Sequence, residues 1–381
     1  MSPAYFDHNA TTPLDERVLE AMLPYFREHF GNPSSRHEYG RDARRAVDDA
    51  RERVAEALGA HPSQVIFTSG GSEANNLAIK GAAAFLPPTQ LAISAIEHPC
   101  VAKPAQELAG QGWKLAKLGV AATGKVEAAQ LEEALRIPTG MVSVMLANNE
   151  TGVIQDVAAL GEMAKKHGAL MHSDAVQALG KVPLDFAALN VDMLSVSAHK
   201  AYGPKGVGAL VVDKAVELKP LIVGAGHEKG LRAGTENVPG IVGFGVACEL
   251  AARRAGEQAG RLRGLRDELE QGLHGLGAEV FGAAAERLAN TSYFAFPGIE
   301  GETLVMALDN AGYAVASGAA CSSGSTQASA TLLAMGVDNE LGRGAVRVSL
   351  GKDTAGGQIG EFLDALRNEL KRMRGLAAMA A

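Results

Sequence analysis

With 381 residues the chain is long enough for one large core or for two domains, and a hydrophobic content of 47% is that of an ordinary globular protein. A formal charge of -7 provides no basic field for phosphate backbones or anionic membranes, which argues against nucleic-acid and membrane partners. The three cysteines, Cys100, Cys248 and Cys321, are far apart and form no CxxC pair, so neither a disulfide framework nor a metal site is expected.

The opening MSPAYFDHNATTP has acid and amide residues where a secretion signal needs a basic head and an apolar stretch. No later charge-free apolar segment is long enough to span a bilayer, and the expected location is cytoplasmic. Short apolar, β-branched runs then predict strands at Val65–Ser69, Leu91–Ile96, Val142–Ala147, Ala169–Asp174, Met193–Ala198 and Gly208–Val212. Helical patterns such as Val157–His167 lie between several of them, and this alternation predicts a doubly wound, mostly parallel α/β sheet. Such sheets bind ligands at the carboxyl ends of their strands.

After about Glu249 the pattern changes. Leu262, Leu265, Leu269, Leu273 and Leu276 follow the spacing of one long amphipathic helix leading into a smaller α+β domain. There we expect a strand around Thr291–Phe296, a helix around Glu302–Asn310, the loop ASGAACSSGSTQ, a strand in AVRVSL and a last helix near Gly360–Arg372. The final LAAMAA reads as a frayed tail.

Polar residues fall where the predicted strands end: Ser72 and Glu73, Glu97 and His98, Asn148 and Asn149, Asp174 and Gln177, then Ser197, His199 and Lys200. Pyridoxal phosphate would use such a set, since its aldehyde needs a lysine and its ring nitrogen a carboxylate; Lys200 and Asp174 have those types. In TSGGSEANN, Gly70 and Gly71 permit close approach to a phosphate and Ser72 leads into a helix, while Ser197 and His199 add donors. His98 suits stacking on a flat ring or carrying protons. Each residue alone also has a plain reading: Lys200 as a solvated surface lysine, Asp174 as a helix N-cap, His98 as a structural histidine. Their coincidence at consecutive strand ends describes an anion-binding α/β protein suited to a carbonyl cofactor, and no GxGxxG marks a dinucleotide site.

The sequence resembles the class I, NifS/IscS-like cysteine desulfurases, which are fold-type I pyridoxal-phosphate enzymes. The resemblance rests on FDHNATTPLD, FGNPSSRH, FTSGGSEANN, EHP, ANNETGVIQD, HSDAVQALGKVP, SAHKAYGPKGVG, RAGTEN, SGAACSSGS and VRVSLG, and covers nearly the whole chain. It implies a large domain over residues 15–255, with residues 1–14 and 256–381 forming a small α+β domain. It implies that Lys200 binds the aldehyde, Asp174 pairs with the ring nitrogen, Gln177 meets the phenolic oxygen and His98 stacks on the ring. Gly71, Ser72, Ser197 and His199 would hold the phosphate, with Thr235 arriving from the other subunit of a homodimer. Asn149 and Arg347 would hold the substrate carboxylate, a role that suits the planar fork of arginine.

Cys321 corresponds to the family's nucleophile, within a loop of small residues suited to moving a thiol; Cys248 and Cys100 read as buried small hydrophobes. The phosphate loop departs from many relatives in having Ser72 where they carry threonine. The implied reaction converts L-cysteine to L-alanine and leaves sulfur as a persulfide on Cys321, for an acceptor such as an iron–sulfur scaffold. A selenocysteine lyase, another β-lyase or a sulfur donor for tRNA thiolation are the alternatives. No metal is expected.

Overall fold

The computed structural model describes residues 4–318 and 328–380, with side chains up to residue 375. Strand β1 (Ala4–Tyr5) is followed by β2 (Val65–Thr68), β3 (Gln90–Ser94), β4 (Lys114–Leu118), β5 (Thr139–Ser143), β6 (Leu170–Asp174), β7 (Met193–Ser197) and β8 (Gly208–Val212). The last seven form one sheet in the order β2-β8-β7-β6-β5-β3-β4. Its neighbours are parallel from β4 through β7, and only β8 runs against the rest. The carboxyl ends of the other six strands therefore share one edge.

β2, β3, β6, β7 and β8 are apolar runs with little alternation because helices cover both faces of the sheet. β5 begins three residues before the expected Val142. Its continuation still donates Val144 N–H to His172 O and Leu146 N–H to Asp174 O, so the predicted run marks the end of the ladder and not its start. The edge strand β4, KLAKL, was not expected: it is half exposed and carries lysines, as suits an edge that must not pair further.

Helix Glu38–Ala57 packs along helix Val238–Glu257. The contact is close because small residues meet there; a Cβ on Gly245 would lie 2.9 Å from Ala50 Cα. The expected helix through Leu262, Leu265, Leu269 and Leu273 is Ala259–Gly275, separated from Val238–Glu257 by the single residue Gln258.

The remainder carries β9 (Glu279–Val280), β10 (Thr291–Ala295), β11 (Tyr313–Ala314), β12 (Ala316–Ser317) and β13 (Val346–Ser349). β12-β13-β10-β9 make an antiparallel sheet, and β1 pairs with β11 in parallel. Phe6, Leu269, Leu273, Phe294, Phe296, Phe362 and Leu366 form their core. Each such side chain stabilises by about 1.5–3 kcal/mol when removed from water. The last helix runs from Gly356 to Ala380, so residues 376–380 are helical where a frayed tail was expected; alanine, leucine and methionine are strong helix formers. Among the described residues no helix is long and apolar enough to cross a membrane.

One further segment positions the site. After β1, residues 7–12 leave the smaller sheets and lie against the end of β7. Asn9 N–H donates to Ser349 Oγ, while Thr12 donates to His199 O from both its N–H and its hydroxyl.

Candidate active site

Where β2 ends, Gly70 has a φ of +155°, a region glycine alone occupies readily, and the chain turns into helix Gly71–Asn76. A Cβ on Gly71 would come 2.6 Å from Val176 Cγ2 and 3.5 Å from Ser197 Cβ. Glycine thus lets this turn lie against the ends of β6 and β7. Glu73 secures the turn, accepting from Ser69 N–H at 2.8 Å and pairing with Arg232 at 3.0 Å.

Asp174 closes β6. Its Oδ1 accepts from Val176 N–H at 2.9 Å and its Oδ2 from Asn75 Nδ2 at 2.7 Å. Burial raises its pKa, opposed by these donors and by the charges of His98 and Lys200. Beneath it His172 lies between Ser143 Oγ (2.8 Å) and Ser195 Oγ (3.0 Å), tying β5, β6 and β7 together; burial lowers its pKa to about 3, so it is neutral.

At the end of β7 a single 3-10 turn, Ala198–Lys200, aims Lys200 at residues 9 and 10, where Nζ donates to Asn9 O (2.5 Å) and Ala10 O (2.8 Å). His199 is held by Thr11 Oγ1 at 3.1 Å, and burial with the Lys200 charge lowers its pKa to about 4. Tyr202, at a φ of 65°, then turns the chain away.

His98 N-caps helix Pro99–Ala109, so its plain structural role is real. Nδ1 accepts from Cys100 N–H at 3.2 Å, which places a proton at Nε2, and burial, opposed by the Asp174 charge, lowers the pKa of the ring. The same residue also faces the cavity. Cys100 corrects the sequence reading. It is no buried hydrophobe but a cavity residue, with Sγ 2.8 Å from His98 Nδ1 and 3.0 Å from Asn75 Nδ2. Burial, then Asp174, push its thiol up to about 12, so it is a poor nucleophile. Cys248 is fully buried, as expected.

These strand ends surround one cavity of about 380 Å³, within the range of small-molecule sites. Gly71, Ser72, His98, Asn149, Asp174, Gln177, Ser197, His199, Lys200 and Arg347 all line it. Two polar strand-end residues instead turn inward. Glu97 accepts from Ser94 Oγ and Met145 N–H, its carboxyl raised to about 8 by burial and Asp174, and Asn148 braces the following turn. Thr235 is exposed and outside the lining. Cys321 lies outside the described residues.

The sequence reading missed Asp7, Asn9 and Asn75 as site residues. Arg347, on β13, donates through Nη2 to Asp7 Oδ1 at 2.6 Å and through Nη1 to Asn149 O at 2.9 Å. Its fork therefore already has an acidic partner, while its buried Nε has no protein acceptor among the described residues.

The residues present fit pyridoxal phosphate. Ser197 Oγ is buried with no protein partner among the described residues, beside a turn that a Cβ at Gly71 would block, as a phosphate cradle requires. Asp174, buried with a raised pKa, calls for a cation beside it, which a protonated ring nitrogen would be. Among the described residues no cluster of side chains could hold a metal ion.

The profile of the class-V aminotransferases matches residues 4–362. Cysteine desulfurase 2 of Trichormus variabilis is 44% identical over 99% of this chain and 95% of its own. A solved NifS-like protein superposes with a TM-score of 0.92 at 39% identity, covering 97% of this chain and 99% of its own. The structure of SspA in complex with cysteine gives 0.82 at 37%, over 91% and 98%. A mostly parallel sheet with a lysine and an aspartate at adjacent strand ends, and this match, define the class: the chain belongs to the class-V aminotransferase family, on the fold-type I architecture. Within that family, whose enzymes work with pyridoxal phosphate, it falls among the NifS/IscS-like cysteine desulfurases.

Proposed function

We propose that this protein is a cysteine desulfurase that binds pyridoxal phosphate, converts L-cysteine to L-alanine and carries the sulfur as a persulfide on Cys321. The observation that supports this most is the convergence of Lys200, Asp174, His98, Ser197 and Arg347 on one cavity. When bound, the cofactor supplies an aldehyde for Lys200 and an electron sink that acidifies the Cα–H of an amino acid.

The chain's own residues do the rest. Asp174 holds positive charge at the ring nitrogen, and Asn75 and the Val176 N–H hold Asp174. Ser72, Ser197, His199 and the Gly71 backbone take the phosphate, whose position is thereby fixed relative to Lys200. Arg347 and Asn149 take the substrate carboxylate, with Asp7 yielding or sharing the guanidinium. The Lys200 amine, between two backbone carbonyls, removes the Cα proton and returns it. His98 would stack on the ring of the bound cofactor, with its proton at Nε2. The Cys321 thiolate then attacks the substrate sulfur: the S–S bond forms, the Cβ–S bond breaks, and protonation of the carbon fragment gives alanine.

We read residues 15–255 as the large unit and residues 1–14 with 256–381 as the small one. A homodimer is supported by the exposed Phe30, Tyr39 and Val223, and by Thr235, exposed and available to a second subunit. An iron–sulfur scaffold is the acceptor class proposed, in a reducing cytoplasm where Cys100 and Cys248 stay as free thiols.

The test is Cys321→Ala. The variant should keep the visible cofactor band yet form no alanine from cysteine, and the persulfide mass on wild-type Cys321 should vanish. Undiminished alanine production by the variant would remove the persulfide mechanism and favour a β-lyase.

A further inference from the structure

Lys181 does not line the cavity, yet it is bonded to two residues that do. Its Nζ donates to Gln177 Oε1 at 2.7 Å and to Asn9 Oδ1 at 2.8 Å. A side-chain amide has two nearly isosteric orientations, and its neighbours decide between them. Lys181 carries hydrogens, so the Gln177 oxygen faces it and the Gln177 nitrogen faces away. That nitrogen has two hydrogens, of which the Asn9 carbonyl accepts one at 2.9 Å. The second remains for an acceptor in the cavity that Gln177 lines.

The hydrogen-bond acceptors of the Lys181 amine, Gln177 Oε1 and Asn9 Oδ1, are neutral oxygens, and the charged and titratable groups facing it are Lys200, Arg347 and His8. Desolvation first, then the two cations, drives its pKa well below the ordinary lysine value. An amine carries at least two hydrogens in either protonation state, enough for both acceptors. The Asn9 carbonyl also accepts from Lys200, so Lys181, Gln177, Asn9 and Lys200 form one connected network.

We propose that Lys181 is a positioning residue: by occupying the carbonyl end of Gln177 it holds the amide's N–H end toward the phenolic oxygen of the bound cofactor. The inference rests on the pyridoxal-phosphate reading given above. A donor at that oxygen favours its anionic form and draws charge from the neighbouring nitrogen contributed by Lys200. The nitrogen's proton is therefore lost at a lower pH than it would be without the donor.

The experiment is a pH titration of the visible cofactor band in the full-length holoenzyme, comparing wild type, Lys181→Met, Gln177→Ala and the double variant. Methionine matches the length of the lysine stem and donates nothing. Lys181→Met should keep the cofactor and raise the midpoint by about one pH unit. Gln177→Ala should raise it similarly, and the double variant should move no further, because the two residues act as one unit. A loss confined to thermal stability would overturn the inference, as would a wild-type midpoint in Lys181→Met or a double variant whose shift is the sum of the singles. If Lys181→Met does not fold, Lys181→Leu, shorter and equally without a donor, is read by the same criteria. A wild-type protein that shows no visible band with added pyridoxal phosphate would overturn the cofactor reading and this inference with it; a normal wild-type band with an unmoved variant midpoint removes only the role of Lys181.

Discussion

The two walls of the cavity differ in how far along the chain their residues come from. On the wall proposed to hold the cofactor, Gly71, His98, Asp174, Ser197 and Lys200 each sit within a few residues of a strand end in one sheet. Backbone geometry places them, although their partners, Asn75 for Asp174 and residues 9 and 10 for Lys200, come from farther away along the chain. The substrate wall is assembled from afar: Asp7 and Asn9 come from the first dozen residues and Arg347 from β13, with the Asp7–Arg347 pair 340 positions apart. The first wall is placed by the strand ends of one sheet; the second depends on two sheets being docked correctly.

The contrast can be broken first at Lys200. Lys200→Ala should lower alanine formation by on the order of a thousandfold or more while the protein keeps its melting temperature, since the strand does not need the side chain. A variant retaining a tenth of wild-type turnover would remove Lys200 from the chemistry. On the far wall Arg347→Lys should act mainly on KM, raising it about tenfold to a hundredfold, because a point charge replaces a fork shared between Asp7, Asn149 and the substrate. A pure kcat loss would place Arg347 elsewhere in the cycle.

Asn75→Leu sharpens the picture of the cofactor wall. It leaves Asp174 Oδ2 without its donor, and pyridoxal-phosphate affinity measured by equilibrium dialysis should weaken about tenfold. Unchanged affinity would mean that the Val176 N–H alone sets the carboxylate.

The smallest effect belongs to Glu97 and is one of pH. Its folded pKa near 8 lies above the ordinary carboxyl value, so between the two the folded chain keeps a proton that the unfolded chain has lost. That contribution to stability is complete at low pH and disappears as pH rises through 8. Glu97→Gln cannot lose the proton, and its melting temperature should gain on wild type across this window and then level off. Parallel pH curves would assign the burden of alkaline instability to other groups.

Legibility in the sequence follows the same division. β6, β7 and β8 could be read from apolar runs because both faces are buried, and the polar residues closing them could be read as site residues by position alone. β4 escaped because lysines at the first and fourth positions of KLAKL break both an apolar run and a two-residue alternation, and helix Glu38–Ala57 because its buried stripe is largely alanine and glycine, a face fitted to close approach rather than to bulk. Asp7 and Asn9 were in view within FDHNATTP, yet no local pattern says that a chain's first turn will cross to strands 280 to 340 positions away. Cys100 differs from its reading for a related reason: the hydrophobic reading follows from residue type, and while its contact with His98 is local, its contact with Asn75 arises only when two helices meet.

The strap formed by residues 7–12 also has a consequence for synthesis. Asp7 and Asn9 leave the ribosome early, but Ser349 and Arg347 follow some 340 residues later, at roughly 5–20 residues per second a delay on the order of tens of seconds. Through that interval the cofactor wall can already have formed around the large sheet while the substrate wall has no partner. A nascent chain would then be able to take up its cofactor before it can hold its substrate.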